Sequence, residues 1–207
     1  APGNLFVALP GTAFDGHDYL DRAASLGAGG LLIQRHDGRD RGALPVLLVT
    51  DTVRALGDLA AAWRRRFALP VAALTGSAGK TTTKEMTARI LEGGRRVLKT
   101  AGNQNNLIGL PLTLFRLQDG HEVAVLELGT NRPGEIARLT AIAWPDAALI
   151  TNVGPAHLEG LGSLEGVARE KGALFASMKE GGVAVLNGDD PRVRALDTSR
   201  AGRVLTF

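Results

Sequence analysis

The sequence predicts an α/β protein: a small N-terminal α/β domain over residues 1–68, then a P-loop-type parallel-sheet domain over 69–207. Three observations carry this expectation. Short apolar runs alternate with stretches of helical periodicity along the whole chain, the pattern of strands joined by crossover helices. One such run ends in a Gly-rich turn, "LTGSAGKTTTKEM" (74–86), that opens a helix. The connector "FALP" (67–70) separates the two halves, because Pro70 makes continuation of the preceding helix unfavourable.

In the first segment "NLFVAL", "GLLIQ" and "PVLLVT" read as strands, and "HDYLDRAASLG" and "DTVRALGDLAAAWRRR" as helices. In the second of these helices Val53, Leu56, Leu59, Ala60 and Trp63 share one face. Arg64, Arg65 and Arg66 fall in its last turn, where cations favour the negative end of the helix dipole. From residue 71, "VAALT", "RVLKT", "VAVLELG", "AALITNVG" and "VAVLN" read as buried strands, with helices at 79–92, 105–117, 133–143 and 163–180. Met86, Ile90 and Leu91 are expected on the inward face of the helix that starts at 79. Ligands of such sheets bind beyond the carboxyl ends of the strands.

Composition narrows the class. Hydrophobic residues are 44% and charged residues 22% of 207, ordinary values for a globular chain with a real core. Cysteine is absent, so nothing depends on an oxidising compartment and a cytoplasmic location is expected. Apolar runs stay short of a membrane span. The net charge of +3 suits anionic small molecules, whereas aromatics at 4% and dispersed basic residues argue against nucleic acid. The opening "APGNLFVAL" carries no initiator Met, so the chain is expected to begin partway through a longer one.

The candidate chemistry sits at strand ends. Gly76 and Gly79 let the backbone turn tightly and bring N–H groups near an anion at a new helix start. Lys80 supplies a mobile cation for β- and γ-phosphates, and the Thr81 hydroxyl suits Mg²⁺. The four-residue gap of G-x-x-x-x-G-K-[ST] would place its first glycine at Leu74, so the loop is shortened; the alternative is a Gly-rich turn with no ligand. Glu127 ends a strand at the same edge, as a metal ligand or as a solvated carboxylate. His157 follows a third strand, in "ITNVGPAHLEGLGS", where a lone imidazole is either a ligand or structural. Lys171 lies on the side of Val167, Leu174 and Phe175, which composition alone reads as a snorkelling lysine. Asn103, Asn105 and Asn106 crowd "TAGNQNNLIGLPLTL", as helix caps or as contacts to a polar ligand. Asn187, Asp189 and Asp190 in "VAVLNGDDP" read as a turn on spacing alone.

Together these stretches resemble the ATP-dependent Mur ligases of peptidoglycan synthesis, and within them the branch that adds D-alanyl-D-alanine to UDP-N-acetylmuramoyl-tripeptide. "GNLFVALPGTAFDGHDYLDRAASLGAGG", "TGSAGKTTTKEM", "GNQNNLIG", "ELGTNRPGEI", "TNVGPAHLEGLGS" and "VLNGDD" carry the resemblance over nearly the whole chain. The family's loop is the shorter G-x-x-G-K-[ST], which accommodates Leu74. The resemblance implies that the first segment is a uridine-nucleotide domain and the second a central ATPase domain. It implies ATP contacts at Gly76, Ser77, Ala78, Gly79, Lys80, Thr81 and Thr82, with Asn187 at the adenine. It implies two Mg²⁺ sites, Thr81 and Glu127 on one and His157 on the other, with Lys171 carried as a CO₂-derived carbamate. Phe6, Gly11, Asp15, Gly16 and His17 fall in the uridine-nucleotide region, and Asn103, Asn105 and Asn106 join the substrate contacts. The implied reaction is amide ligation through an acyl phosphate in a monomeric enzyme, with Lys80, Glu127, His157 and Lys171 as the catalytic set. A third domain of the family lies beyond Phe207, so this piece alone is expected to bind nucleotide weakly and not to turn over. Rival expectations are a sister ligase adding another amino acid, a folylpolyglutamate-type ligase, a P-loop NTPase or kinase, and a non-catalytic nucleotide-binding module.

Overall fold

Every strand pairing in the computed structural model, which describes residues 2–207, is parallel. The chain divides into two compact units, one ending at Leu59 and the other running from Ala60 to Phe207.

In the first unit β1 (Leu5–Val7), β2 (Gly30–Ile33) and β3 (Val46–Leu48) form a three-stranded sheet in that order. A 3-10 turn (Gly16–Tyr19) and α1 (Leu20–Ser25) connect β1 to β2, and α2 (Thr52–Arg64) follows β3. Ala8, Leu20, Leu31 and Ile33 form the small core. β3 is an edge strand, and Val46, Leu47 and Leu48 are all exposed.

The second unit carries the site. Its strands are β4 (Val71–Thr75), β5 (Val97–Lys99), β6 (Val123–Glu127), β7 (Ala147–Ile150), β8 (Gly182–Leu186) and β9 (Ala201–Thr206). They lie in the order β5-β6-β4-β7-β8-β9. From central β4 the chain moves out to β5, returns to β6, and then crosses to β7 on the far side. That reversal opens a crevice at the carboxyl ends of β6, β4 and β7, where ligands of open parallel sheets bind. The helices are α3 (Lys80–Glu92), α4 (Gly109–Leu114), α5 (Glu135–Ala143), α6 (Leu158–Leu161), α7 (Leu164–Ser177) and α8 (Pro191–Arg194). Leu98, Leu126, Leu128, Ile136, Leu139, Ile150, Leu174 and Phe175 belong to one continuous core between sheet and helices.

Two expectations from the sequence are corrected, and two features of the structure carried no signal in it. α3 turns Lys84 and Ala88 inward, while Met86 and Ile90 are 62% and 77% exposed. The helix expected at 105–117 is only Gly109–Leu114, because the asparagine run before it is a loop. β9 had no strand-like signal, since five of its six residues are exposed at a sheet edge and carry no buried apolar run. Arg64, in the last turn of α2, is only 4% exposed and donates to the carbonyls of Ala143 (3.2 Å), Phe67 (2.9 Å) and Leu69 (3.3 Å). A buried guanidinium needs such acceptors, and here it satisfies the chain where α2 ends and the connector begins.

Candidate active site

β4 delivers the chain at Thr75, whose hydroxyl donates to the Leu128 carbonyl at 2.8 Å. At Gly76 a Cβ would collide with Thr151 Oγ1, so only glycine allows the backbone to pass. Gly79 sits at φ 77°, a left-handed conformation that glycine adopts freely, and caps α3. The first helical bond runs from Thr83 N–H to the Gly79 carbonyl at 2.9 Å. The N–H groups from Gly79 to Thr82 therefore precede the hydrogen-bonded ladder and converge at the positive end of the helix dipole. The Lys80 ammonium folds back over the turn to the Gly76 carbonyl at 2.9 Å. Ser77 and Ala78 play a different part: their N–H groups donate to the backbone carbonyl (3.0 Å) and side-chain Oδ1 (2.9 Å) of Asn152.

Glu127 ends β6 only 2% exposed. Its two oxygens accept from the Thr81 hydroxyl (2.9 Å) and the Asn105 amide (2.8 Å), and its N–H donates to Thr100 Oγ1 (3.0 Å). Both donors on the carboxylate are neutral groups, so it is oriented without a direct ion pair among the described residues. Lys171, on α7, is 1% exposed, and no hydrogen bond or salt bridge holds its Nζ among the described residues. Burial, and then the nearby Lys80 charge, push its amine from 10.5 down to about 8, against the opposing pull of Glu170.

Lys80, Thr81, Glu127, His157, Lys171, Asn103, Asn105 and Asn106 all line one cavity of about 570 Å³ at the strand ends. Gly102, Gly129, Thr130, Asn131 and Glu135 complete its wall. The convergence expected from three separate strand-to-loop junctions is thus present. Hydroxyl, carboxylate and imidazole, which line this cavity, are groups that ligate divalent cations. No three His, Cys, Asp or Glu side chains gather into a ready-made cage among the described residues.

The family model described as the Mur ligase middle domain matches residues 74–207. The chain belongs to the Mur ligase family. The UDP-N-acetylmuramoyl-tripeptide--D-alanyl-D-alanine ligase of Escherichia coli K12 is 51% identical over 189 residues, 91% of this chain and 41% of that protein. A MurF crystal structure from Acinetobacter baumannii superposes with a TM-score of 0.92 at 36% identity, covering 100% of this chain and 45% of that one. The MurF ligase of Thermotoga maritima, solved in complex with ADP, gives 0.89 at 40% identity, covering 100% and 47%. The chain spans about two fifths of the length of such curated relatives.

Within this Mur ligase chain the asparagine run divides its work. Asn105 orients Glu127, Asn103 is exposed at the cavity, and Asn106 Oδ1 accepts from the N–H groups of Ile108 (3.1 Å) and Gly109 (2.8 Å). Asn106 therefore braces the chain at the start of α4 with its oxygen while it also lines the cavity. Asn187 does not line the cavity. Its amide donates to the Thr151 carbonyl at 2.8 Å and its oxygen accepts from Asp189 N–H at 2.9 Å, the turn that spacing suggested.

In the first unit Phe6 borders a separate cavity of about 420 Å³ with Tyr19, Arg22 and Leu26. Asp15 and His17 are engaged internally. Asp15 Oδ1 accepts from His17 N–H (2.8 Å) and Nδ1 (2.7 Å), Oδ2 accepts from Arg35 (2.9 Å), and His17 Nε2 accepts from Gln34 N–H (3.1 Å). These bonds, led by the backbone one from His17, hold the Asp15 carboxyl well below its ordinary range. Gly16 lies where a Cβ would come within 2.7 Å of Leu9 N, a packing reason for glycine. Gly11 likewise abuts the Phe14 backbone.

Two buried ionic residues were missed by sequence reasoning. Glu170, 6% exposed, accepts from Gly134 N–H (2.7 Å), Ile136 N–H (2.7 Å) and the Thr130 hydroxyl (3.2 Å), so α7 caps α5 and fixes one cavity wall. Its spacing from Val167 and Leu174 places it on the inward stripe, which was a usable signal. Lys84, fully buried, donates to the Thr100 carbonyl at 2.8 Å and ties α3 to the end of β5. A lysine four positions after Lys80 gave no sign of facing the core.

Proposed function

We propose that this chain is the substrate-nucleotide and ATP-binding part of an ATP-dependent ligase that joins D-alanyl-D-alanine to UDP-N-acetylmuramoyl-tripeptide. The observation that carries the reading is the single cavity in which phosphate loop, buried Glu127 and unpaired Lys171 meet. The similarity to MurF structures, one of them holding ADP, supports the substrate assignment. Residues 1–68 form the uridine-nucleotide part and 69–207 the ATP part of a monomeric cytoplasmic enzyme.

ATP is consumed as a substrate. The N–H groups of Gly79, Lys80, Thr81 and Thr82 and the Lys80 ammonium hold its phosphates, while Asn187 and the β8 exit border the adenine side. Thr81 and Glu127 would hold one Mg²⁺ and His157 the other, and metal bound there would supply charge neutralisation at the phosphates. Lys80 offsets the repulsion as the tripeptide carboxylate approaches the γ-phosphoryl group, forming an acyl phosphate and releasing ADP. The amine of D-alanyl-D-alanine then attacks the acyl carbon, phosphate leaves, and the amide forms. Asn103, Asn105 and the loop from Thr130 position the acceptor. The depressed amine of Lys171 is neutral in a useful fraction near neutrality, which suits attack on CO₂ to give a carbamate and a proton. The carbamate would offer an anionic oxygen to Mg²⁺ where an ammonium would repel it.

Phosphate release by the full-length protein is expected to need both tripeptide and dipeptide. Release with ATP alone would favour an NTPase, and phosphorylation of an acceptor without amide formation a kinase. Lys80→Ala is expected to lower ligation about 100- to 1,000-fold, the range for removing one preorganised charge contact. Near-normal turnover of that variant would remove Lys80 from the mechanism. Labelled bicarbonate and carbon NMR check the carbamate, whose signal must vanish in Lys171→Met.

A further inference from the structure

The phosphate loop is gripped from outside by the segment that leaves β7. Asn152 engages both polar groups of a single residue: its Oδ1 accepts from Ala78 N–H at 2.9 Å and its Nδ2 donates to the Ala78 carbonyl at 3.1 Å. Thr151 Oγ1 donates to the same carbonyl at 2.6 Å. The Asn152 backbone carbonyl accepts from Ser77 N–H at 3.0 Å. Ser77 Oγ and Gly154 close the arrangement, the hydroxyl donating to the Gly154 carbonyl (2.9 Å) and accepting from its N–H (2.8 Å).

The gripping segment is itself braced from the other side. Asn187 donates to the Thr151 carbonyl at 2.8 Å, and Asp190 Oδ2 accepts from Val153 N–H at 2.7 Å. An arrangement of this kind fixes a short loop before any ligand arrives. A loop held in its binding shape loses less freedom on binding, so affinity rises without a new contact to the ligand. The two N–H groups taken up by the grip are those of Ser77 and Ala78, which leaves the helix start from Gly79 as the anion-facing surface.

We infer that Asn152 is a positioning residue of the nucleotide site: through Ala78 it presets the phosphate loop, without touching phosphate. The inference rests on the nucleotide reading above. A carboxamide is the side chain that can donate and accept at once, which is what the paired N–H and carbonyl of Ala78 require. Aspartate has the same shape and keeps only the acceptor, so it sets a carboxylate oxygen against the Ala78 carbonyl. Alanine removes both bonds.

The test uses full-length protein, Mg-ADP as the probe, and amide hydrogen exchange read peptide by peptide. In Asn152→Ala, exchange over residues 75–82 is expected to speed up about tenfold while the rest of the protein keeps its wild-type rates. Mg-ADP affinity is expected to fall about tenfold, the range of one lost hydrogen-bonded contact. Asn152→Asp is expected to show both effects, and it carries the test alone if the alanine variant does not fold. Wild-type loop exchange with wild-type affinity in a folded variant overturns the inference. So does weakened binding accompanied by faster exchange everywhere, since that is general destabilisation. Wild-type protein that binds no Mg-ADP instead overturns the nucleotide reading, a result that needs no variant and is told apart on that ground.

Discussion

The protein holds two polar clusters at strand ends, and they are built on opposite principles. In the first unit Asp15, His17, Arg35, Gln34 and Thr52 satisfy one another: the imidazole donates to a carboxylate and accepts from a backbone N–H, and Thr52 donates from both N–H (3.1 Å) and hydroxyl (3.0 Å) to Gln34. In the second unit Glu127 is oriented by neutral donors only, and Lys171 is buried with no hydrogen bond to its amine among the described residues. A closed network stabilises a fold and has nothing left to offer a ligand. An open one, costly while empty, is where binding energy is gained. The same residue types thus mean different things, and partners decide which.

That contrast can be broken most directly at Lys171. The folded protein holds its amine near 8, and the unfolded chain near 10.5. Between those values the unfolded chain binds a proton that the folded one has released, so stability rises with pH across the window, and the full penalty applies below it. At about 1.4 kcal/mol per unit this penalty is about 3 kcal/mol. Lys171→Met is therefore expected to stabilise CO₂-free protein by about 3 kcal/mol at pH 7, with the gain shrinking by pH 9.5, in urea unfolding at both values. Destabilisation instead would mean that the ammonium has a partner and that the second cluster is closed as well.

The next largest effect tests the other side. His17→Ala leaves the Gln34 N–H and Asp15 without their imidazole partner and is expected to cost about 2 kcal/mol in thermal unfolding. Mg-ADP affinity should stay unchanged; a parallel fall in affinity would make this cluster part of the site. Asn106→Ala removes a cap and is expected to cost about 1 kcal/mol, whereas Asn106→Asp, which keeps the acceptor, should be close to neutral. A loss of acceptor-substrate affinity in Asn106→Asp at unchanged stability would return Asn106 to the ligand contacts. The smallest effect belongs to Met86→Lys. With that side chain 62% exposed, stability should move by less than about 0.5 kcal/mol.

Much of the fold was legible because it is written locally. Buried parallel strands are continuous apolar runs, as "VAALT" and "VAVLELG" are, and a glycine turn before Lys-Thr at a strand end is read within a few residues. β9 was not legible, because an exposed edge strand has no such run. The inward face of α3 was misread because Lys84 is the buried residue there, and a long polar side chain gives no inward signal until its acceptor, the Thr100 carbonyl, is in place.

By itself, the sequence determined the parallel α/β class and the glycine turn that opens α3, and it singled out the few residues proposed for phosphate and metal, since each depends on neighbours within a turn or two. Only the tertiary structure decided how they work. It separated Asn105 beside Glu127 from Asn106 on a helix end, closed the Asp15–His17 pair, opened the Lys171 site, and set Asn152 against Ala78. The physical reason is that a polar side chain takes its meaning from its partner, and these partners come from strands and loops far along the chain.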